Sequence, residues 1–420
     1  MISEARAFTR ARTRTFWGLL IGYAAFYLCR NNLSAAAKIL EIGHHIDKTT
    51  FGEIASIGTL CYAVGKVVAG PIADRIGGRR VFFFGLYASA IANLFIGIGG
   101  PLWLFIVFWG LSRVFQSLGW AGLVQIMPRW FQTSRYGTAM GAISTSYQFG
   151  GVFTPMLLAG VLSITSGWQA LFWAPAALLI VMGELVRGFI VQTPADAGLD
   201  ELPTDEAEAA VVETKPPWHE PIRALLSRRA FWTVLGLSLS LTLVRETFNL
   251  WMPRYFSDLG AGDAAAVFKS TAFPLLGLAG TLLAGWFSDR FSNGRRGPII
   301  AVLLTCLVFS LLALAHLPAL ASRLGMAAAM LAVPLTGLAG FCLLGPYSMV
   351  GGGVIALDFG GRHAAATAAG LLDGVGYLGA SLAGVGIAAI VDRAGWAGAW
   401  NALAAMAALA VVLSVPLWRK

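Results

Sequence analysis

The chain has 420 residues, of which 57% are hydrophobic and only 12% charged, with 50 glycines, a net charge of +9 and a mean hydropathy of +0.72. That composition excludes a soluble globular domain and a disordered chain, and it predicts an integral membrane protein. The apolar residues fall in runs of about 20, the length that crosses a hydrocarbon core as a helix, and lack the alternation of barrel strands.

In chain order the runs predict spans at 16–40, 50–73, 80–99, 102–127, 136–164 and 168–191, then at 230–256, 264–288, 298–317, 326–350, 363–391 and 396–418. The first run follows Arg6, Arg10, Arg12 and Arg14, as a cleavable leader would. It is nevertheless too long, carries Arg30 and precedes no small-residue cleavage pattern, so it is read as a retained span. Between the two sets lie Asp196, Asp200, Glu201, Asp205, Glu206, Glu208 and Glu213, then Pro216-Pro217, with too little apolar content for a domain. The expected fold is an all-α membrane protein with 12 transmembrane helices: a six-helix bundle over 1–192, a cytoplasmic linker over 193–229 and a second six-helix bundle over 230–420.

Arg and Lys gather before the first span, at Arg75, Arg79 and Arg80, around Arg129 and Arg135, at Arg228-Arg229, from Arg290 to Arg296, at Arg362 and at Arg419-Lys420. These are alternate loops and both termini, so the positive-inside rule places them all in the cytoplasm, with the spans in a bacterial-type inner membrane. The positive charge is then topological, and no nucleic-acid partner is expected. Cys29, Cys61, Cys306 and Cys342 fall inside spans at no metal-ligand spacing, which makes them reduced packing residues; no metal or cofactor is expected. No nucleophile and base constellation appears, and His44-His45 lies in a polar loop, so the chain does not read as an enzyme.

The two sets of spans repeat one another. Gly70-Pro71-Ile72-Ala73-Asp74-Arg75 recurs as Gly285-Trp286-Phe287-Ser288-Asp289-Arg290, and Arg30 recurs as Arg245 at the same offset (289 − 74 = 245 − 30 = 215). Gly167-Trp168 recurs as Gly395-Trp396, and Gly151 as Gly379, both at an offset of 228 (395 − 167 = 379 − 151). The halves are one six-span unit duplicated.

Six plus six spans with Asp74-Arg75-Ile76-Gly77-Gly78-Arg79-Arg80 after the second, and Arg113-Val114-Phe115-Gln116-Ser117-Leu118-Gly119 in the fourth, resemble the major facilitator superfamily. More narrowly, Gly22-Tyr23-Ala24-Ala25-Phe26-Tyr27-Leu28-Cys29-Arg30-Asn31-Asn32 resembles the first span of the organophosphate:phosphate antiporters, a group that includes glycerol-3-phosphate and hexose-phosphate carriers. Phe115 to Trp120, Gly280 to Trp286, Thr367 to Gly370 and Gly376-Tyr377-Leu378-Gly379 are similar to that family as well. The resemblance implies exchange of a phosphorylated organic anion for inorganic phosphate by alternating access, in a monomer surrounded by lipid. It also implies a substrate lysine at Lys66. Sensors of sugar phosphates share the fold, and a proton-coupled carrier of a carboxylate or phosphonate is compatible with the same arginines; both alternatives stay open.

An arginine at bilayer depth costs about 2.5–3.5 kcal/mol even on insertion scales. Guanidinium forks grip phosphate oxygens bidentately, and two of them suit a dianion. In a duplicated carrier the equivalent Arg30 and Arg245 are expected to face one another across a midplane site. Tyr23, Tyr27, Arg30 and Ser34 form one helical stripe and Ser238, Thr242, Arg245 and Asn249 another, both expected to line the cavity, or alternatively to hold helices together. Gln116, Trp120 and Tyr147 complete the expected binding set, Tyr147 standing where glycerol-phosphate carriers have a histidine. Lys66 is read either as a third cationic contact or as a lysine snorkelling to the interface.

Asn31, Leu250 and Pro274 replace charged residues of the family pattern, while Glu246 and Asp373 are additions that can compensate charge or carry a proton. Adjacent helical residues sit about 100° apart, which turns Glu246 toward a neighbouring helix. Asp74, Arg75, Asp289 and Arg290, at cytoplasmic span ends, read as gating groups or as plain topological charge. Arg113 reads as part of the fold's internal network.

Overall fold

The computed structural model describes residues 2–30, 32–33, 48–164, 167–200, 217, 219–261, 268–291, 296–350 and 354–419. Among them are twelve helices of 18 residues or more and no strand. In chain order these are α1 (Ile2–Phe26), α2 (Lys48–Ile76), α3 (Gly78–Ile98), α4 (Leu102–Trp130), α5 (Thr133–Ile164), α6 (Ala170–Arg187), α7 (Arg229–Asp258), α8 (Ala272–Phe291), α9 (Gly297–Ala315), α10 (Ala328–Val350), α11 (Val354–Ala380) and α12 (Leu382–Ser414). They take up the twelve expected spans in order, and the fold is the all-α membrane architecture. Most of α2, all of α3, α4, α6 and α9, the stretch Phe268–Phe287 around α8, and the run Ala328–Leu417 are long and apolar enough to cross a membrane.

Both ends of the first helix differ from the hydropathy reading, and two later helices are broken close to expected boundaries. Helix α1 begins far upstream of residue 16, because the basic segment is polar but still a good helix former. It ends at Phe26 and tightens into a 3-10 turn over Tyr27–Cys29, where the Arg30 amide N–H donates to the Tyr27 carbonyl at 3.0 Å. In α11 the backbone leaves helical geometry at Gly361 (φ 60°) and Ala364, so the second segment starts beside the expected 363. In α12 it does so at Gly395 (φ 64°), the glycine of the repeated Gly-Trp pair, just before the expected span at 396. Both glycines hold a left-handed φ that a side chain would strain.

The chain forms two compact units: Met1–Gln132 with Ile143–Leu225 and Ala356–Gly374, and Thr133–Ala142 with Leu226–Ile355 and Val375–Lys420. Each therefore takes one segment from the other half of the sequence. In the first, α11 lies directly on α2: a Cβ on Gly70 would collide with the Ala366 carbonyl, and one on Gly370 with the Lys66 carbonyl. In the second, a Cβ on Gly285 would stand 2.7 Å from the Gly137 carbonyl. Small residues permit this approach of helix backbones, which dispersion and weak polar contacts reward in lipid.

Lipid-facing and buried faces separate cleanly along α2. Ile57, Leu60, Val64, Val68, Ile72 and Ile76 are exposed, three or four residues apart, while Tyr62, Lys66, Ala69 and Ala73 on the other face are buried. The first unit has an aromatic core of Phe105, Trp109, Trp168 and Phe172. In the second, Phe248 stacks on Phe273 with centroids 4.6 Å apart and tilts against Trp400 at 5.3 Å.

Candidate functional site

In the first unit the residues converge on Tyr62, one turn before Lys66 on the buried face of α2. Around its ring stand the Arg30 guanidinium (4.6 Å to the centroid), the Arg113 guanidinium (4.9 Å) and the Lys66 ammonium (5.2 Å). Arg30 also lies 4.5 Å from the centroid of Tyr27, so its guanidinium is within cation–π range of two aromatic rings. Such contacts contribute about 0.5–2 kcal/mol each and fix the guanidinium in place.

Gln116 organises the cations from α4. Its Oε1 accepts from Arg30 Nε and from Arg113 NH1, both at 3.3 Å, while its Nε2 donates to the Cys29 carbonyl at 2.8 Å and to Ser112 Oγ at 3.2 Å. With its amide occupied on both sides, Gln116 orients the arginines. Nε2 also binds a carbonyl in the 3-10 turn that leads into Arg30, so one side chain sets both the backbone and the guanidinium. Tyr23 is buried against Trp120, with centroids 4.9 Å apart, and Trp120 in turn lies 5.8 Å from the Lys66 ammonium.

Lys66 Nζ donates to Asp373 Oδ2 on α11 at 2.7 Å, and the two side chains are only 3% and 6% exposed. The lysine does not snorkel to an interface; it is held inside the unit by the acid that departs from the family pattern. Three cationic groups and this one carboxylate are gathered around Tyr62.

The second unit carries a smaller version. Arg245, buried on α7, stacks 4.2 Å from the centroid of Tyr347 and donates from NH2 to the Tyr377 hydroxyl at 3.0 Å. Its Nε donates to Glu246 Oε1 at 2.9 Å, and its NH2 reaches the same oxygen. The expectation that Glu246 turns to a neighbouring helix is therefore corrected. Both side chains are long enough to fold back along the helix, and a carboxylate beside a buried guanidinium is held by charge.

Other expected residues separate. Ser238 and Thr242 are buried and pack against the backbone of Gly376, with Thr242 Oγ1 donating to the Ser238 carbonyl at 2.7 Å. This part of the α7 stripe makes a helix contact, and Asn249 at its end is exposed. Tyr147 is half-buried on α5, one turn before Gly150, which packs on Ala24 and Tyr27 of the first helical segment. Asn31, Ser34 and the His44-His45 pair lie outside the described residues.

Asp74 accepts from the Thr367 amide at 2.8 Å, the Thr367 hydroxyl at 2.6 Å and, longer, the Ala366 amide at 3.4 Å. These are the first amides of the second segment of α11, so Asp74 caps that helix from another one. Arg75 and Arg290 are exposed, and the Asp289 side chain lies outside the described ones.

Sequence reasoning missed Tyr62, Tyr347 and the partnership of Arg113 with Arg30. Tyr62 carried a signal, since a position four residues before Lys66 shares its helical face; Tyr347 on α10 carried none.

A family model described as the Major Facilitator Superfamily matches residues 19–384. The chain is 30% identical over 423 residues to a probable hexose phosphate transport protein of Chlamydia trachomatis, a match covering 97% of this chain and 91% of that protein. It is 28% identical to the hexose-6-phosphate:phosphate antiporter of Escherichia coli, over 92% of this chain and 85% of that one. Among solved structures FucP, a transporter crystallised in its outward conformation, matches with a TM-score of 0.73 at 14% identity, covering 97% of this chain and 99% of that one, a likeness of fold.

Proposed function

We infer that this chain, which belongs to the major facilitator superfamily and within it to the organophosphate:phosphate antiporters, is a secondary transporter that carries a phosphorylated organic anion in exchange for inorganic phosphate. The observation that carries this reading is the pair of equivalent arginines. Each is buried or half-buried in a span, laid on tyrosine rings, and held by hydrogen bonds that aim its fork. A rigid guanidinium loses little freedom when it binds a phosphoryl group, which is where Arg exceeds Lys.

In the first unit Arg30, with Lys66 as a further donor, offers its guanidinium to phosphoryl oxygens, and in the second unit Arg245 does the same; the organic moiety is held by aromatic side chains of which Tyr147 is one. Alternating access moves the bound anion across the membrane. Both termini and the basic loops lie on the cytoplasmic face, as the arginine distribution supports. Protein reconstituted in liposomes loaded with inorganic phosphate is expected to take up labelled phosphate or a hexose or glycerol phosphate. Uptake that is equally fast from empty liposomes refutes exchange, and no uptake of any phosphate compound refutes the substrate class.

A further inference from the structure

We propose that substrate binding is coupled to protonation of Asp373, so that each phosphoryl group enters the site together with a proton. This rests on Lys66 being a phosphate donor, as proposed above.

The Lys66 ammonium and the Asp373 carboxylate meet at 2.7 Å and are almost wholly enclosed. They cannot part by swinging into water, because α11 is seated on α2 at this level, with Gly370 against the Lys66 carbonyl itself. The charged and titratable groups that face the pair are Tyr62 on α2, Arg30 beyond the end of α1 and Arg113 on α4, all gathered on the Tyr62 ring; Trp120 of α4 closes the side near the ammonium.

When Lys66 turns a hydrogen bond toward a phosphate oxygen, Asp373 loses its partner and acquires a dianion as a neighbour. A buried carboxylate left in that state is costly. Uptake of a proton removes the cost: an O–H bond forms on Asp373 with a proton drawn from solvent, while Lys66 keeps all three of its protons and exchanges one acceptor for another. On release the ammonium returns to the carboxylate and the proton leaves. Glu246 stands differently. Its side chain is 28% exposed, so it can take water in place of Arg245 when that arginine binds phosphate, and it needs no proton.

The direct test is calorimetry of glycerol 3-phosphate binding to the purified full chain near pH 7, in two buffers of different ionisation enthalpy. The expected result is uptake of roughly one proton per ligand bound, lost in Asp373→Asn. Equal heats in the two buffers overturn the proposal, as does proton uptake that persists unchanged in Asp373→Asn. Failure of the wild type to bind any phosphate ester is a separate result, and it overturns the transporter reading itself. Should Asp373→Asn not fold, the pH dependence of binding to the wild type decides. With one proton taken up per ligand, the dissociation constant of glycerol 3-phosphate is expected to rise about tenfold between pH 7 and pH 8, where the ligand itself is already mostly a dianion. A dissociation constant unchanged over that range overturns the coupling.

Discussion

Replacing Arg30 by lysine keeps the positive charge and removes only the geometry that the structure gives it. The guanidinium now lies 4.5 and 4.6 Å from two tyrosine centroids and donates from Nε to Gln116. An ammonium holds a phosphate as a point charge, so one of two parallel charge-assisted bonds is lost, at about 1.5–3 kcal/mol. That corresponds to a dissociation constant for inorganic phosphate raised about 10- to 150-fold. Competition of unlabelled against labelled phosphate on purified protein measures it, with Arg30→Ala as the reference for loss of charge as well. A lysine variant within twofold of the wild type, beside an alanine variant that does not bind, would show that charge alone matters and would refute the argument from the aromatic seat.

Tyr62→Phe is expected to bind phosphate like the wild type, because the ring faces the three cations, whereas Tyr62→Leu should weaken binding by about 10- to 150-fold, each of the three cation–π interactions that it removes being worth about 0.5–1 kcal/mol; equal weakening in both variants would assign the effect to the hydroxyl. Asp74→Ala should lower the melting temperature in detergent by removing the two short bonds from Thr367, about 2–5 kcal/mol together, and a variant that melts with the wild type would remove the capping role. Gly70→Val should fail to fold or melt well below the wild type, since its side chain would have to displace the α11 backbone at Ala366. Wild-type melting in that variant would show that α2 and α11 do not need this approach.

The twelve spans were legible because a bilayer allows little choice: a helix that crosses it must be long and apolar, and that property is written along one dimension. The duplication was equally plain, and it singles out Arg30 and Arg245 by their common offset alone. The surroundings of the expected binding residues were less legible. Gln116 stands with Arg30, whereas Ser238 and Thr242 pack against Gly376, since polar residues in membrane helices serve helix contacts as readily as cavities.

What the sequence determined by itself is the class, the number of spans and the two arginines at equivalent positions of the repeat, all of which follow from hydropathy and internal repetition. What only the tertiary structure decided is which charge meets which. Lys66 and Asp373 are 307 residues apart and meet because two glycines let α11 rest on α2. Arg30 and Arg113 share the Gln116 oxygen and the Tyr62 ring because α1 ends in a 3-10 turn beside α4. Such pairings depend on the rotation of each helix about its axis and on how closely backbones approach. Hydropathy is blind to both, which is why Glu246 and Asp373 read as loose acids in the sequence and as the partners of Arg245 and Lys66 in the fold.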